Sequence, residues 1–179
     1  MLKRFLERFQ HHDNRIFYWF NRRISHSRLD RFLALFTHMG GAVFTIMLTL
    51  SVALFASEPW SGAGWQSFAA LSVSFLITTL IKKKLQRIRP CLVLDEAKAV
   101  ISPLWDPSFP SGHSTAVFSV ITPFLFVSPW LTLLLVPLAA TVGLSRIYLG
   151  MHYPSDCLAG CFVGTTTALF IVYAMGMQA

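Results

Sequence analysis

Four stretches of this chain, residues 32–57, 59–81, 107–145 and 157–179, contain no charged side chain. No other feature restricts the fold so strongly. A helix needs about 20 mostly apolar residues to cross a bilayer core, and each stretch is that long or longer. Lipid offers no partners to bare backbone groups, so a spanning chain must be helical or a closed barrel. These runs are too long and too evenly apolar for barrel strands, which alternate over about 10 residues. The chain therefore reads as an all-α integral membrane helical bundle. Stretch 107–145 has room for two spans, with Ser128-Pro129-Trp130 as the break. Five spans are expected, near 34–56, 60–81, 111–127, 131–147 and 155–176. Composition agrees, since only 13% of residues are charged against about 25% in soluble domains.

Residues 1–30 follow another pattern. Leu2, Phe5, Leu6 and Phe9, then Ile16, Phe17, Phe20 and Ile24, recur at helical spacing, with Arg, Lys and His in the gaps. That pattern suits amphipathic helices lying on a membrane surface, ahead of a transmembrane domain over 31–179. No apolar core precedes Asp13, so the segment does not read as a secretory signal. Cys157 and Cys161 share one helix face as small packing residues, and Cys91 stands alone in a loop. An odd cysteine count supports no disulfide framework.

Three clusters at the ends of the uncharged stretches carry the chemistry. The first is Lys82 with Arg89 and Pro90. On one helix, residues seven apart leave from nearly the same face, and Pro90 would end that helix at Arg89. Arg89 can grip two phosphate oxygens, while Lys82 supplies a point charge. Lys83, Lys84 and Arg87 read as a basic membrane flank. The second cluster, Pro110-Ser111-Gly112-His113, opens the third span. Ser111 suits an N-cap, Gly112 admits close backbone approach, and the helix N-terminus favours an anion. His113 stands at the same point, and an imidazole with an ordinary pKa of about 6.5 suits proton donation. The third cluster is Ser145-Arg146, His152 and Asp156. Pro154 suits the first position of the last helix, which puts Asp156 in its first turn near His152. A carboxylate there can accept one imidazole N–H and leave the other nitrogen's lone pair free. Arg146 adds a third cation.

Taken in order, these clusters resemble the type 2 phosphatidic acid phosphatase (PAP2) family. Its fold is shared with bacterial non-specific acid phosphatases and vanadium haloperoxidases. The resemblance covers roughly residues 30–175 and implies a PAP2/haloperoxidase-like core. It also implies a phosphatase that forms a phosphohistidine and needs no metal or other cofactor. Carried over, Lys82, Arg89, Ser111, the Gly112 backbone and Arg146 bind phosphate. His152 is then the nucleophile, His113 the general acid, and Asp156 the group that orients His152. The implied partners are a phosphorylated membrane lipid and the bilayer, with no nucleic acid. Phosphatidylglycerophosphate, phosphatidic acid and undecaprenyl diphosphate are the implied substrate types. The scaffold also admits a lipid phosphotransferase or a non-enzymatic lipid-phosphate carrier, though a carrier needs no nucleophile. Many membrane members have three spans before the first cluster, whereas two are expected here.

Two spans before Lys82 put the N-terminus and the clusters on one side of the membrane and the C-terminus on the other. All 15 Lys and Arg residues then fall on the catalytic side: eight in 1–31, six in 82–98, and Arg146. The positive-inside bias makes that the cytoplasmic face of a plasma membrane. Loop 91–109 carries Asp95, Glu96, Lys98, Trp105 and Phe109. It reads either as a gate over the lipid head group or as an interfacial loop with an aromatic anchor.

Overall fold

The structure is a computed structural model that describes residues 2–102 and 105–176. Among these residues every regular element is helical. Helix α1 (Leu2–Tyr18) runs into a π turn (Trp19–Arg23), followed by α2 (Ser27–Phe36) and a 3-10 turn (Thr37–Gly40). Helices α3 (Ala42–Phe55) and α4 (Trp60–Leu85) come next, then the single turn α5 (Pro90–Val93). The chain closes with α6 (Gly112–Val127), a 3-10 turn (Pro129–Leu131), α7 (Thr132–Tyr148) and α8 (Pro154–Met175).

Among the described residues, three helical stretches are long and apolar enough to cross a membrane: Trp60–Val93, Pro129–Tyr148 and Pro154–Met175. The span expected near 34–56 is not one helix. Ser27–Gly40 and Ala42–Phe55 meet at a 50° bend and reach spanning length only as a pair. The region expected as a span at 111–127 is helix α6, apolar but shorter than the three spanning stretches. It is the central helix of the bundle, packed against α8, α4 and α7. Its middle, from Ser119 to Phe124, is buried throughout. Large apolar side chains instead face outward elsewhere, including Phe55, Phe75, Leu133, Phe162 and Tyr173. Water would not tolerate such a belt, but a bilayer requires one.

Small residues set the helix spacing. A Cβ on Gly164 would lie 2.4 Å from the Thr115 carbonyl, and one on Gly160 would lie 2.6 Å from the Ser111 carbonyl. These glycines, four apart on α8, let its backbone touch α6, as small-residue pairs do in membranes. Hydroxyls add glue: Ser67 Oγ donates to the Val120 carbonyl at 2.8 Å, and the Ser74 and Ser119 hydroxyls bond at 2.8 Å.

The N-terminal segment packs directly on the bundle. Asp13, Phe17 and Asn21, spaced four apart, are buried, while Ile16 and Trp19 on other faces are half exposed. Asn21 Nδ2 donates to the Tyr148 and Lys98 carbonyls, each at 2.8 Å, and its Oδ1 accepts from Lys98 N at 2.7 Å. One asparagine thus ties the segment to the end of α7 and to the loop before the second cluster.

Candidate active site

The three clusters converge at one end of the bundle, by a route the spacing did not indicate. Lys82 and Arg89 do not share a helix face. Helix α4 ends at Leu85, Gln86 takes a left-handed conformation (φ 47°) and Arg89 is extended. The turn, not helical periodicity, brings the two cations together. Both reach Asp106. Arg89 Nη2 pairs with Asp106 Oδ1 at 2.6 Å and Lys82 Nζ pairs with Asp106 Oδ2. Burial alone would raise the Asp106 carboxyl, but Lys82 and Arg89 outweigh it and hold the group at about 2. This aspartate sits where an anionic ligand of the two cations would sit.

His152 is buried, and its neighbours fix its tautomer. Nδ1 lies 2.7 Å from the Ser108 carbonyl, which can only accept. Nε2 lies 3.1 Å from Arg89 Nη1, which can only donate. The proton is therefore on Nδ1, and the lone pair on Nε2 faces the cations. Burial, followed by the Arg146, Arg89 and Lys82 charges, holds His152 well below the usual histidine value. That direction favours the neutral ring.

Asp156 differs from its expected role in detail. Its Oδ2 lies 3.7 Å from His152 Nδ1, beyond hydrogen-bond reach, and accepts from Tyr153 N at 2.9 Å. The direct acceptor of His152 is the Ser108 carbonyl. Arg87 is also not a membrane flank. It donates from Nη1 to Asp156 Oδ1 at 2.5 Å and from Nη2 to Asp13 Oδ2 at 2.8 Å. Charge composition could not separate it from Lys83 and Lys84, because its partners lie 74 and 69 residues away.

Arg146 is buried at the end of α7. Its Nη1 donates to Thr37 Oγ1 at 3.1 Å, and among the described residues nothing bonds its buried Nε. No ion pair among them includes Arg146. A phosphate oxygen is the kind of group that would satisfy such a guanidinium. Ser145, by contrast, bonds back into its own helix at the Val142 carbonyl. Ser111 caps α6, accepting from Ser114 N at 3.4 Å. A Cβ on Gly112 would meet nothing within 4 Å, so this helix end borders open space. His113 is fitted against the α2–α3 break. A Cβ on Gly40 would lie 3.0 Å from the His113 carbonyl, so this glycine makes room for it.

An apolar groove of about 590 Å³ between α3, α4 and α6 ends at Gly112 and His113. Its lip includes Ile46, Phe75 and Leu76, all exposed on the bundle's outer surface. Among the described residues no three His, Cys, Asp or Glu side chains cluster as a metal-ligand set.

Comparison with known proteins gives consistent matches. The PAP2 superfamily model matches residues 63–179. The chain is 34% identical over 121 residues to the lipid A 1-phosphatase of Rhizobium etli, which covers 64% of this chain and 51% of that protein. It is 30% identical over 142 residues to phosphatidylglycerophosphatase B of Bacillus subtilis, covering 72% and 66%. The crystal structure of the first transmembrane PAP2-type phosphatidylglycerolphosphate phosphatase from Bacillus subtilis superimposes with a TM-score of 0.77 at 26% identity. That superposition covers 93% of this chain and 85% of the other. The chain spans about half the length of the first curated relatives it matches.

Proposed function

The chain belongs to the PAP2 superfamily, and on that premise we propose that it is a membrane lipid phosphatase. It removes the terminal phosphate of a lipid monophosphate or diphosphate through a phosphohistidine on His152. The observation that carries this reading is the neutral His152, its Nε2 lone pair turned toward Arg89; an apolar groove that reaches Gly112 and His113 adds to it. The groove suits a lipid tail and the cations suit its phosphate. Phosphatidylglycerophosphate, phosphatidic acid and undecaprenyl diphosphate all fit that description.

The reaction proceeds in two in-line steps. The phosphate displaces Asp106 from Lys82 and Arg89 and satisfies Arg146. Arg89 transfers its hydrogen bond from Nε2 to a phosphate oxygen. Nε2 then attacks phosphorus, the bond to the leaving oxygen breaks, and His113 protonates that oxygen. The ring becomes cationic, and Asp156 lies close enough to stabilise that charge. Water, deprotonated by His113, next attacks phosphorus and returns His152 to its neutral form. Fixed charge aimed at the developing oxyanions contributes the largest share of the acceleration. A positioned acid adds about 10² to 10⁴-fold.

Five spans fit the bundle if the bent α2–α3 pair counts as one, with α4, α6, α7 and α8. The N-terminal helices bond to loop residues Glu96 and Lys98 and to the first turn of α8, which supports one side for both. The basic bias of that side supports a cytoplasmic-facing site. An impermeant thiol reagent applied to intact cells tests this, using Ala97→Cys in a cysteine-free background. Labelling would place the site outside.

The direct test is phosphate release from the three lipids by purified protein in detergent. Release from at least one, lost in His152→Ala, is expected. Transfer to an added lipid acceptor instead of water would make the protein a phosphotransferase. Binding without turnover would make it a carrier.

A further inference from the structure

Arg87, whose guanidinium makes as many hydrogen bonds as that of Arg89, lies outside the three clusters' roles. Besides Asp156 and Asp13, Arg87 donates to Ser155 Oγ at 2.7 Å and Gln10 Oε1 at 2.9 Å. Its guanidinium carbon lies 3.9 Å from the centre of the Tyr153 ring. Its backbone carbonyl accepts from Ser108 N at 2.7 Å. Arg87 therefore holds both groups that face His152 Nδ1: the Ser108 carbonyl through its backbone, and Asp156 through its side chain. It also packs on Tyr153, the residue that follows His152.

Asp13 fixes Arg87 in turn. It comes from α1, outside the region matched by the family model. It is only 4% exposed, and its Oδ1 accepts from Ser155 N at 2.9 Å. Two buried carboxylates, Asp13 and Asp156, thus bracket one guanidinium. A buried carboxylate stays ionised only when it is paired. The planar fork of arginine can serve both at once, whereas an ammonium group could not do so with the same geometry.

We infer that Arg87 and Asp13 are positioning residues for His152, with the N-terminal surface helix locking the guanidinium that holds Asp156 and the His152 turn. This rests on the phosphatase reading above. When Nε2 bonds phosphorus, the ring gains positive charge while Nδ1 keeps its proton. The Asp156 carboxylate, 3.7 Å from Nδ1, stabilises that charge only if it is ionised and held in place.

The test uses the full chain in detergent with p-nitrophenyl phosphate as probe. Arg87→Gln should lower kcat about 100-fold, the scale of a 1 Å misplacement in a site. KM and inhibition by orthovanadate should stay within about two-fold, because Lys82, Arg89 and Arg146 remain. Asp13→Asn should lower kcat about ten-fold, and Arg87→Lys should fall between wild type and Arg87→Gln. Asp13→Asn added to Arg87→Gln should cost nothing further, since the same coupling is already broken. Wild-type kcat in Arg87→Gln overturns the inference, and so does an additive double variant. Equal losses of kcat and vanadate affinity also overturn it, because they would make Arg87 a phosphate ligand or a folding residue. If Arg87→Gln does not fold, Asp13→Asn and Arg87→Lys carry the test. Nitrogen NMR of the His152 ring reads the same coupling without turnover. Wild type should give one fixed Nδ1–H tautomer, and both Asp13→Asn and Arg87→Lys should give partly averaged ring nitrogens. If wild type releases no phosphate from any substrate, the phosphatase reading fails while the ring spectra still decide this inference. Spectra unchanged in both variants sink it.

Discussion

Asp106→Asn should bind orthovanadate about five-fold more tightly than wild type. In the structure the Asp106 carboxylate holds both Lys82 and Arg89, so an oxyanion can take those cations only by displacing it. The strength of that hold follows from the carboxyl itself. Burial pushes it up, yet the two cations bring it from 3.8 to about 2. Taken at face value, that drop is worth at most about 2.5 kcal/mol. The side chain is 45% exposed, and solvent screening reduces the figure to about 1 kcal/mol, or roughly five-fold in affinity. Asparagine keeps the shape and removes the charge. The assay is inhibition of phosphate release by orthovanadate, repeated at low and high salt. The gap between the two proteins should narrow at high salt, because a partly exposed ion pair is screened. Equal or weaker inhibition of Asp106→Asn would refute the argument and would mean that Asp106 helps to hold the cations in place for the ligand.

Other outcomes follow from the same geometry. His113→Ala should lose far more activity on a lipid alkyl phosphate than on p-nitrophenyl phosphate, whose leaving group needs no proton; equal losses would remove His113 as the acid. Turnover should persist in excess EDTA, because Lys82, Arg89 and Arg146 supply the positive charge; strict dependence on added magnesium would contradict this. His152 is held well below the ordinary value of 6.5, chiefly by burial. Its contribution to stability is full above about pH 6.5 and is lost as pH falls toward the lowered folded value. Thermal melts from pH 7.5 to 5 should therefore fall more steeply for wild type than for His152→Ala, and parallel curves would contradict the assignment. Gly164→Leu should destabilise the bundle by at least about 1–3 kcal/mol, because its Cβ would meet α6 backbone rather than a yielding side chain. A melt unchanged by that substitution would mean that α6 and α8 do not pack as described.

Much of the site was legible because its groups sit at helix ends marked by local chemistry. Pro154 and Ser111 fix the starts of α8 and α6, and with them Asp156 and the second cluster. The bend at Gly40–Gly41 was hidden because the sequence is uncharged through it, and a 50° turn leaves no mark on hydropathy. What the bend provides, room for His113, depends on α6 more than seventy residues later. The end of α4 was misjudged because Pro90 is the visible breaker, while the chain leaves the helix earlier at a left-handed Gln86. The Ser108 carbonyl has no sequence signature, since every residue carries one. Arg87 and Asp13 carry only ordinary charge in one dimension, and their pairing exists only once α1 folds back over α8. Gly160 and Gly164, which set the contact between α6 and α8, are not singled out by the sequence, in which Cys157 and Cys161 read as the small packing residues of that helix.

The central claim is that phosphate passes through His152. The most direct measurement is rapid quench of the purified protein with phosphatidylglycerophosphate radiolabelled in its terminal phosphate, followed by mapping of the labelled peptide. The account predicts a transient phosphoenzyme that survives base and is lost in acid, carried on the peptide containing His152 and absent from His152→Ala. Phosphate release by wild type at full rate, with no labelled protein at any quench time, would contradict it.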